Sequence, residues 1–379
     1  MTEQTAGEST RQITKHKAYS AVHRDDFSSM IEVDRYQERS GDFDHIISAT
    51  DSHFWDPLDT KYIDYSEPFD MENKAMLPER MLPELDMKVC AGLTEKQRIR
   101  LINDTAHWSL SAILHGEQGA LSLSASLCHI MKDQGAQEYA ANQTREEARH
   151  VTAFARYIQV RWGKPLPVSD TLGTLLNEIV RAPEVYKKIV GMQLLVEGLA
   201  MGAFATFYTQ SEDPLIRRLC QLVMTDEAFH HKFGKIWASA TMPNIDEEEH
   251  NLIEDWAAHC FQVLLFNLVN PEQKRLIYQN VGLDWRDVQK EYLVAFTDDD
   301  RRERMSNAAD IFRVLIKTLL KADIITERTR SFYATYVNLD ELKAEGDRMI
   351  GDDIADEGIA YLREINFAGR SDPAMAAAE

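Results

Sequence analysis

From residue 95 onward, apolar positions recur every three to four residues through long stretches without proline, whereas the first 94 residues carry no such period. The spacing predicts helices over 95–133, 136–162, 170–180, 183–211, 213–241 and 245–270. They are separated by "KDQGA", "WGKPLPVSD", "RAPEV", "SEDP" and "TMPNID", each with Gly or Pro beside residues that cap helices. Thr94 stands where the first of them needs a cap. Further helices are expected over 272–295, 300–322, 325–337 and 339–365, and "GRSDPAMAAAE" reads as a frayed tail. Strand alternation is nearly absent, so the chain is all-α. Helices of about 28 residues are roughly 40 Å long, lengths that suit a bundle better than a globin-type array. "HFWDPLDTKYIDYSEPFDM" mixes prolines and aromatics without a helical period, as an arm packed over a core does. The expected organisation is an extended arm over 1–94, a helical bundle over 95–270 and a helical extension of the same globule over 271–379.

Composition narrows the class of function. A hydrophobic share of 44% and a charged share of 27% are those of a soluble globular chain. A net charge of −20 argues against phosphate backbones and anionic membranes as partners. Cys90, Cys128, Cys220 and Cys260 contain no CxxC pair, which excludes a thiolate metal module and points to a reducing compartment. No apolar leader is visible at the N-terminus. The most apolar run, "LLVEGLAMGAFATFY", is short and interrupted by Glu197. The expected location is the cytoplasm.

The candidate chemistry lies in a repeated spacing. ExxH occurs at Glu147–His150, Glu227–His230 and Glu247–His250. In so acidic a chain about one match arises by chance, and the bland reading of any single case is a surface pair. Glu247–His250 fits that reading, because it sits in an acidic first turn where carboxylates favour the helix dipole. The other two have company. Glu117 lies thirty residues before Glu147, and Glu197 thirty before Glu227, each a single acid on a strongly apolar helix. Gly198, Ala200, Gly202 and Ala203 around Glu197 allow close helix approach or leave a cavity.

Glu and His three residues apart share one helix face. A helical hairpin with a short turn brings a residue level with one about thirty residues later. Two such hairpins about a pseudo-twofold axis deliver four carboxylates and two imidazoles to one point. That donor set suits two first-row divalent ions, whose charge would offset four buried carboxylates.

At these residues, over about 105–240, the sequence resembles the ferritin-like di-iron carboxylate superfamily, whose bundles place a Glu on two helices and Glu-x-x-His on the other two. The resemblance implies a ferritin-like four-helix bundle with two iron ions, Fe/Fe or Mn/Fe. One half-site would be Glu117, Glu147 and His150, and the other Glu197, Glu227 and His230, with Glu147 and Glu227 as bridges. It further implies that the acids preceding each ExxH orient a histidine of the opposite hairpin, Asp226 for His150 and Glu146 for His230. His231, about 100° off the ligand face, reads as a flanking or surface residue.

The same resemblance directs the choice among activities. Ribonucleotide reductase small subunits carry a radical tyrosine where this chain has Phe154, and multicomponent hydroxylases a threonine where it has Met201, beside Ala200. Acyl-carrier-protein desaturases lose their threonine here too. Arylamine N-oxygenases add a third histidine on the turn before the last ExxH, where Val223 and Met224 stand. Ferritins and rubrerythrins are much shorter. No subfamily signature transfers cleanly. The expected activity is that of an O₂-dependent oxygenase or oxidase whose diferrous site passes through a peroxo or higher-valent level. It would hydroxylate, desaturate or N-oxidise an organic substrate. Leu121, Phe154, Met201 and Phe207 are candidate pocket residues. A separate ferredoxin or reductase would supply electrons, and a homodimer is expected. The alternative is a ferroxidase or metal-binding protein without an organic substrate. "DDIAD" at 352–356 matches the isoprenoid-synthase DDxxD but lacks basic diphosphate partners, so it reads as a charged helix face.

Overall fold

The computed structural model describes residues 19–51, 53–295, 311–346, 348–349 and 351–367. The arm contributes two short helices, α1 (Phe27–Met30) and α2 (Asp44–Thr50), joined by turns and 3₁₀ segments. The bundle follows as α3 (Glu95–Ile130), α4 (Gln134–Trp162), α5 (Asp170–Arg181), α6 (Val185–Gln210), α7 (Pro214–Thr241) and α8 (Glu247–Val269). Shorter helices complete the chain: α9 (Arg275–Asn280), α10 (Trp285–Ala295), α11 (Ile311–Lys321), α12 (Glu327–Tyr333), α13 (Leu339–Ala344) and α14 (Asp352–Phe367). No strand occurs among the described residues, whose only extended pairing is one bridge between Ala21 and Met131.

The helix ends follow local chemistry. Thr94 and Gln97 form a reciprocal capping box at α3, and Asp133 caps α4 through the Ala136 N–H. Asp213 caps α7, which begins with Pro214 at its first turn. Asp213 also accepts from Tyr157 Oη (2.8 Å) and Arg161 Nε (2.7 Å), tying the start of α7 to the end of α4.

Two stretches expected as single helices are divided. The stretch 272–295 breaks into a 3₁₀ turn, α9 and α10, with a turn at Gly282 between the last two. The stretch 339–365 breaks into α13 and α14, because Gly351 has φ +95° and an added Cβ would lie 2.2 Å from Met224 Cε. The first part of the expected helix over 300–322, and the tail "GRSDPAMAAAE", lie outside the described residues.

Packing pairs α3 with α4 and α6 with α7 as hairpins, with α7 also against α4. The outer helices close around them: α5 on α3, α8 and α11 on α6, α14 on α7. The core is split in two along the bundle. One apolar cluster holds Ala120–Ile130 of α3, Ala136–Ala140 of α4, Ile189–Val196 of α6 and Phe229–Ala238 of α7. The other holds Leu101–Leu114, Ala153–Ile158, Met201–Phe207 and Leu215–Met224 of the same four helices. In each helix the boundary falls at its candidate ligand carboxylate. The apolar plugs thus fix the height of a single polar layer.

Two helices, Val185–Gln210 and Glu247–Val269, are apolar and long enough to cross a bilayer by composition alone. The first packs at the centre of the molecule and carries buried Glu197.

Candidate metal centre

The polar layer gathers all six sequence-predicted ligands. One group of atoms within 4.8 Å of one another comes from Glu117, Glu147, His150 and Glu227, and a second from Glu147, Glu197, Glu227 and His230. Glu147 and Glu227 belong to both. None of the six is more than 4% exposed.

Each histidine is held at both ring nitrogens. His150 Nε2 donates to Asp226 Oδ2 (2.8 Å), while its Nδ1 faces Glu117 Oε2 (3.2 Å) and Glu227 Oε1 (3.1 Å). His230 Nε2 donates to Glu146 Oε2 (2.9 Å), while its Nδ1 faces Glu147 Oε1 (3.1 Å) and Glu227 Oε2 (3.2 Å). The acids thus come from the opposite hairpin in each case, and both rings turn Nδ1 toward the carboxylates.

Sequence reading missed several groups around this layer. Asp226 also accepts from the Trp55 indole Nε1–H (2.9 Å) and from the Arg149 guanidinium, and lies 3.5 Å from His53 Nε2. Trp55 stacks on His150 (6.0 Å, 14°), and His53 on Phe229 (5.1 Å, 11°). Trp55 and His53 come from the arm, where no period announces them. Gln143 and Gln193, each four residues before a candidate ligand, form a buried amide pair. Gln143 Nε2 donates to Glu147 Oε1 (2.9 Å), and Gln193 Nε2 to Gln143 Oε1 (2.9 Å). The repeat of Gln four residues before Glu147 and Glu197 was the available signal.

The charge balance shows what the layer lacks. Six buried carboxylates (Glu117, Glu146, Glu147, Glu197, Asp226 and Glu227) meet one buried guanidinium, Arg149. Burial, with the neighbouring Glu227 charge, pushes Glu117 and Glu197 well above the usual carboxylate range. Burial opposes ionisation of Asp226, yet Arg149 and His150 hold its carboxyl far below that range. Burial also disfavours charge on His150 and His230, but the surrounding carboxylates raise both rings well above the ordinary imidazole value. Glu147 Oε2 and Glu227 Oε1, buried at the centre, have no hydrogen-bond donor. Two divalent cations would supply the missing positive charge and occupy those oxygens, so this donor set fits a dinuclear centre.

The remaining candidates separate. Met201 lines a cavity of ≈ 270 Å³ together with Ala228, His231, Lys232, Lys235, Arg348, Met349 and Asp352. Phe154 is stacked on Phe204 in the core (5.6 Å, 16°), Phe207 is buried beside it, and Leu121 is half-buried on α3. His231 takes the flanking rather than the surface alternative, outside both groups of candidate ligands. It is 4% exposed, not a surface residue, and its Nδ1 lies 3.2 Å from the Gln193 main-chain oxygen. Burial pushes its ring down to about 3, so it is neutral. Glu247 stays in an exposed acidic first turn, and His250 Nε2 meets the Asp323 carbonyl (3.0 Å). In "DDIAD", Asp353 and Asp356 pair with Arg348, the charged helix face expected.

A family model described as P-aminobenzoate N-oxygenase AurF matches residues 38–319. No curated protein and no solved structure matches. The match corrects the sequence argument that the missing third histidine separates this chain from the arylamine N-oxygenases. Val223 and Met224 are fully buried in the second of the two apolar plugs, and the chain departs from that pattern within the family. With the match spanning the arm, the bundle and the carboxylate layer, the chain belongs to the p-aminobenzoate N-oxygenase AurF family, and is a non-haem di-iron, O₂-dependent oxygenase of an organic substrate.

Proposed function

We propose that Glu117, Glu147 and His150 hold one iron ion and Glu197, Glu227 and His230 the other, with Glu147 and Glu227 shared. The reaction is N-oxygenation of a small arylamine carrying an anionic substituent. The observation that carries the ligand assignment is the membership of Glu147 and Glu227 in both four-residue groups. Bound iron supplies O₂ reduction and oxygen-atom transfer, chemistry that no side chain performs. Asp226 and Glu146 accept the Nε2–H of His150 and His230, which keeps each Nδ1 lone pair turned inward. Gln143 fixes the rotamer of Glu147. The two apolar plugs exclude water from the layer between them.

The substrate reading rests on the family description for the amine and on the cavity for the rest. Lys232, Lys235 and Arg348 line the cavity with Asp352, Arg348 also pairing with Asp353 and Asp356, around walls of Met201, Ala228 and Met349. Such a lining complements an anionic, partly apolar molecule. A ferroxidase would want an acidic entry route, and this cavity has apolar walls and two lysines instead. A separate ferredoxin or reductase delivers the two electrons that reduce the second oxygen atom to water. Four free cysteines accord with a reducing cytoplasm.

The test is anaerobic loading with Fe(II), metal counting, and O₂ addition with 4-aminobenzoate and a chemical reductant. Two irons per chain and a hydroxylamine or nitro product, read by mass spectrometry, are expected. Glu117→Ala and Glu227→Ala should each retain fewer than two. Full loading in both variants overturns the ligand assignment. Absence of oxygenated product across a panel of arylamines overturns the N-oxygenation.

A further inference from the structure

We infer that the buried amide pair of Gln143 and Gln193 makes the two half-sites unequal, so that the half-site of Glu197, Glu227 and His230 takes up metal first and holds it more tightly. The inference rests on the ligand assignment proposed above and adds to it two positioning residues and an order of loading.

The pair is held from several sides and is fully buried. Gln143 Nε2 donates to Glu147 Oε1 (2.9 Å), to Gln193 Oε1 (3.3 Å) and to Glu197 Oε1 (3.4 Å), and Gln193 Nε2 donates back to Gln143 Oε1 (2.9 Å). A carboxylate oxygen only accepts, so Glu147 fixes which end of Gln143 is the NH₂, and Gln143 in turn fixes the orientation of Gln193. Gln193 lies within Ile189–Val196 of α6, a stretch wound as a π-helix, where the Glu197 N–H bonds the Met192 carbonyl five residues back. The main-chain oxygen of Gln193 lies 3.2 Å from His231 Nδ1, which anchors the residue at its backbone as well.

The carboxylate oxygens that receive these hydrogen bonds belong to one half-site. Glu147 Oε1 is the atom that faces His230 Nδ1 (3.1 Å), and Glu197 is a member of the second group alone. The shared oxygens turned to the other half-site are Glu147 Oε2 and Glu227 Oε1, which face His150 Nδ1 at 3.4 Å and 3.1 Å. Neither has a hydrogen-bond donor. The sequence carries the same imbalance. Four residues before Glu227 and Glu117, where the repeat would place the matching amides, stand Val223 and Ile113, apolar side chains packed with the second plug. A donor on a carboxylate oxygen holds it in place and offsets its repulsion from neighbouring carboxylates before any cation arrives. Oxygens without a donor must be ordered by the metal itself, at a cost in affinity. The half-site with donors therefore fills first.

The probe is Mn(II), titrated calorimetrically into the metal-free protein, with electron paramagnetic resonance reporting when a bound ion gains a neighbour. The wild type should bind two ions in two steps, the first about tenfold or more tighter. Glu117→Ala should keep the tight step and Glu197→Ala should lose it. In the double variant Gln143→Met with Gln193→Met, side chains of similar length replace the amides and leave no orphaned amide behind. The tight step should then weaken about 10–100-fold, while the weaker step stays in place and the melting temperature of the metal-free protein holds. Gln143→Met alone should shift the same step. Equal steps in the wild type, or a tight step that survives in Glu197→Ala, overturn the inference. Equal weakening of both steps in the double variant also overturns it and leaves the pair as a brace between α4 and α6. A wild type that binds fewer than two ions strikes the ligand assignment beneath, and the inference with it.

Discussion

Asp226 shows how one side chain can tie two other parts of the molecule to its own helix. It accepts from His150 of α4, from Arg149 on the same helix and from Trp55 of the arm, all without solvent. Asp226→Asn preserves shape but removes the charge that Arg149 faces. A cost of about 3–5 kcal/mol is expected from leaving that cation uncompensated, measurable by chemical denaturation. Iron affinity should fall roughly 10–100-fold, because the orienting partner of His150 is weakened, and competition with a chelator reads this directly. Sequence reading reached the Asp226–His150 pair from its position before ExxH. It did not reach Trp55, because 171 residues and an aperiodic segment separate the two.

A second residue-scale case lies away from the iron. Glu84, 1% exposed, accepts from Lys274 Nζ (2.8 Å), Tyr278 Oη (3.0 Å) and Tyr292 Oη (2.9 Å). Burial alone would raise its carboxyl, but Lys274 and the hydrogen bonds hold it down to about 2. A depressed folded value contributes stability above the unfolded value near 4.5 and loses it as pH falls toward 2. The shift corresponds to about 3 kcal/mol. The stability gap between wild type and Glu84→Gln should therefore be full above pH 5 and shrink as pH falls toward 2. A gap that stays constant over that range would contradict the assignment.

At the scale of the element, the helices of the bundle were legible because capping residues and breaks coincide with changes in apolar period. The π-wound turn of α6 was not, because "IVGMQLLV" has no polar residue at its register change except Gln193. What accommodates it is Gly234 of α7, where a Cβ would lie 2.9 Å from Leu194 Cδ2 and 3.0 Å from Gln193 Cβ. Gly234→Ala should cost about 1–3 kcal/mol by overpacking. It should also displace Glu197 through the π segment, so reduced iron affinity is expected alongside a lower melting temperature. Destabilisation with unchanged iron binding would show that the segment and the ligand are not mechanically linked. The breaks at Gly282 and Gly351 were not read from the sequence, which carried single helices across both. Gly351 needed its tertiary neighbours Met201 and Met224 to reveal why the chain turns there.

At the scale of the molecule, the carboxylate layer is a cost that the two apolar plugs alone must support when no cation is present. Divalent metal should therefore raise the melting temperature in a concentration-dependent way, by about 2.7 kcal/mol of added stability at one hundred times the dissociation constant. Calorimetric scans with graded Fe(II) or Mn(II), reversed by a chelator, test this. A melting temperature that ignores both would remove metal from the energetics of the fold. The thirty-residue offsets made the layer readable in sequence, because regular helices convert spacing into height. The cavity was less readable. Its walls draw on α6, α7 and the segment around Arg348, which no period connects.

The later part of the arm and α14 meet beside the site. Tyr62 Oη donates to Asn366 Oδ1 (2.7 Å), and Asn366 Nδ2 donates to the Phe54 carbonyl (2.6 Å), next to the two arm residues that reach Asp226. Synthesis runs from the arm to α14, so the segment that covers the carboxylate layer leaves the ribosome 312 residues before the residue that fastens it. Contacts of such sequence separation form late and slowly. The nascent chain therefore passes through a period in which the bundle is complete but its cover is unfastened, and that interval is the natural time for a cation to enter.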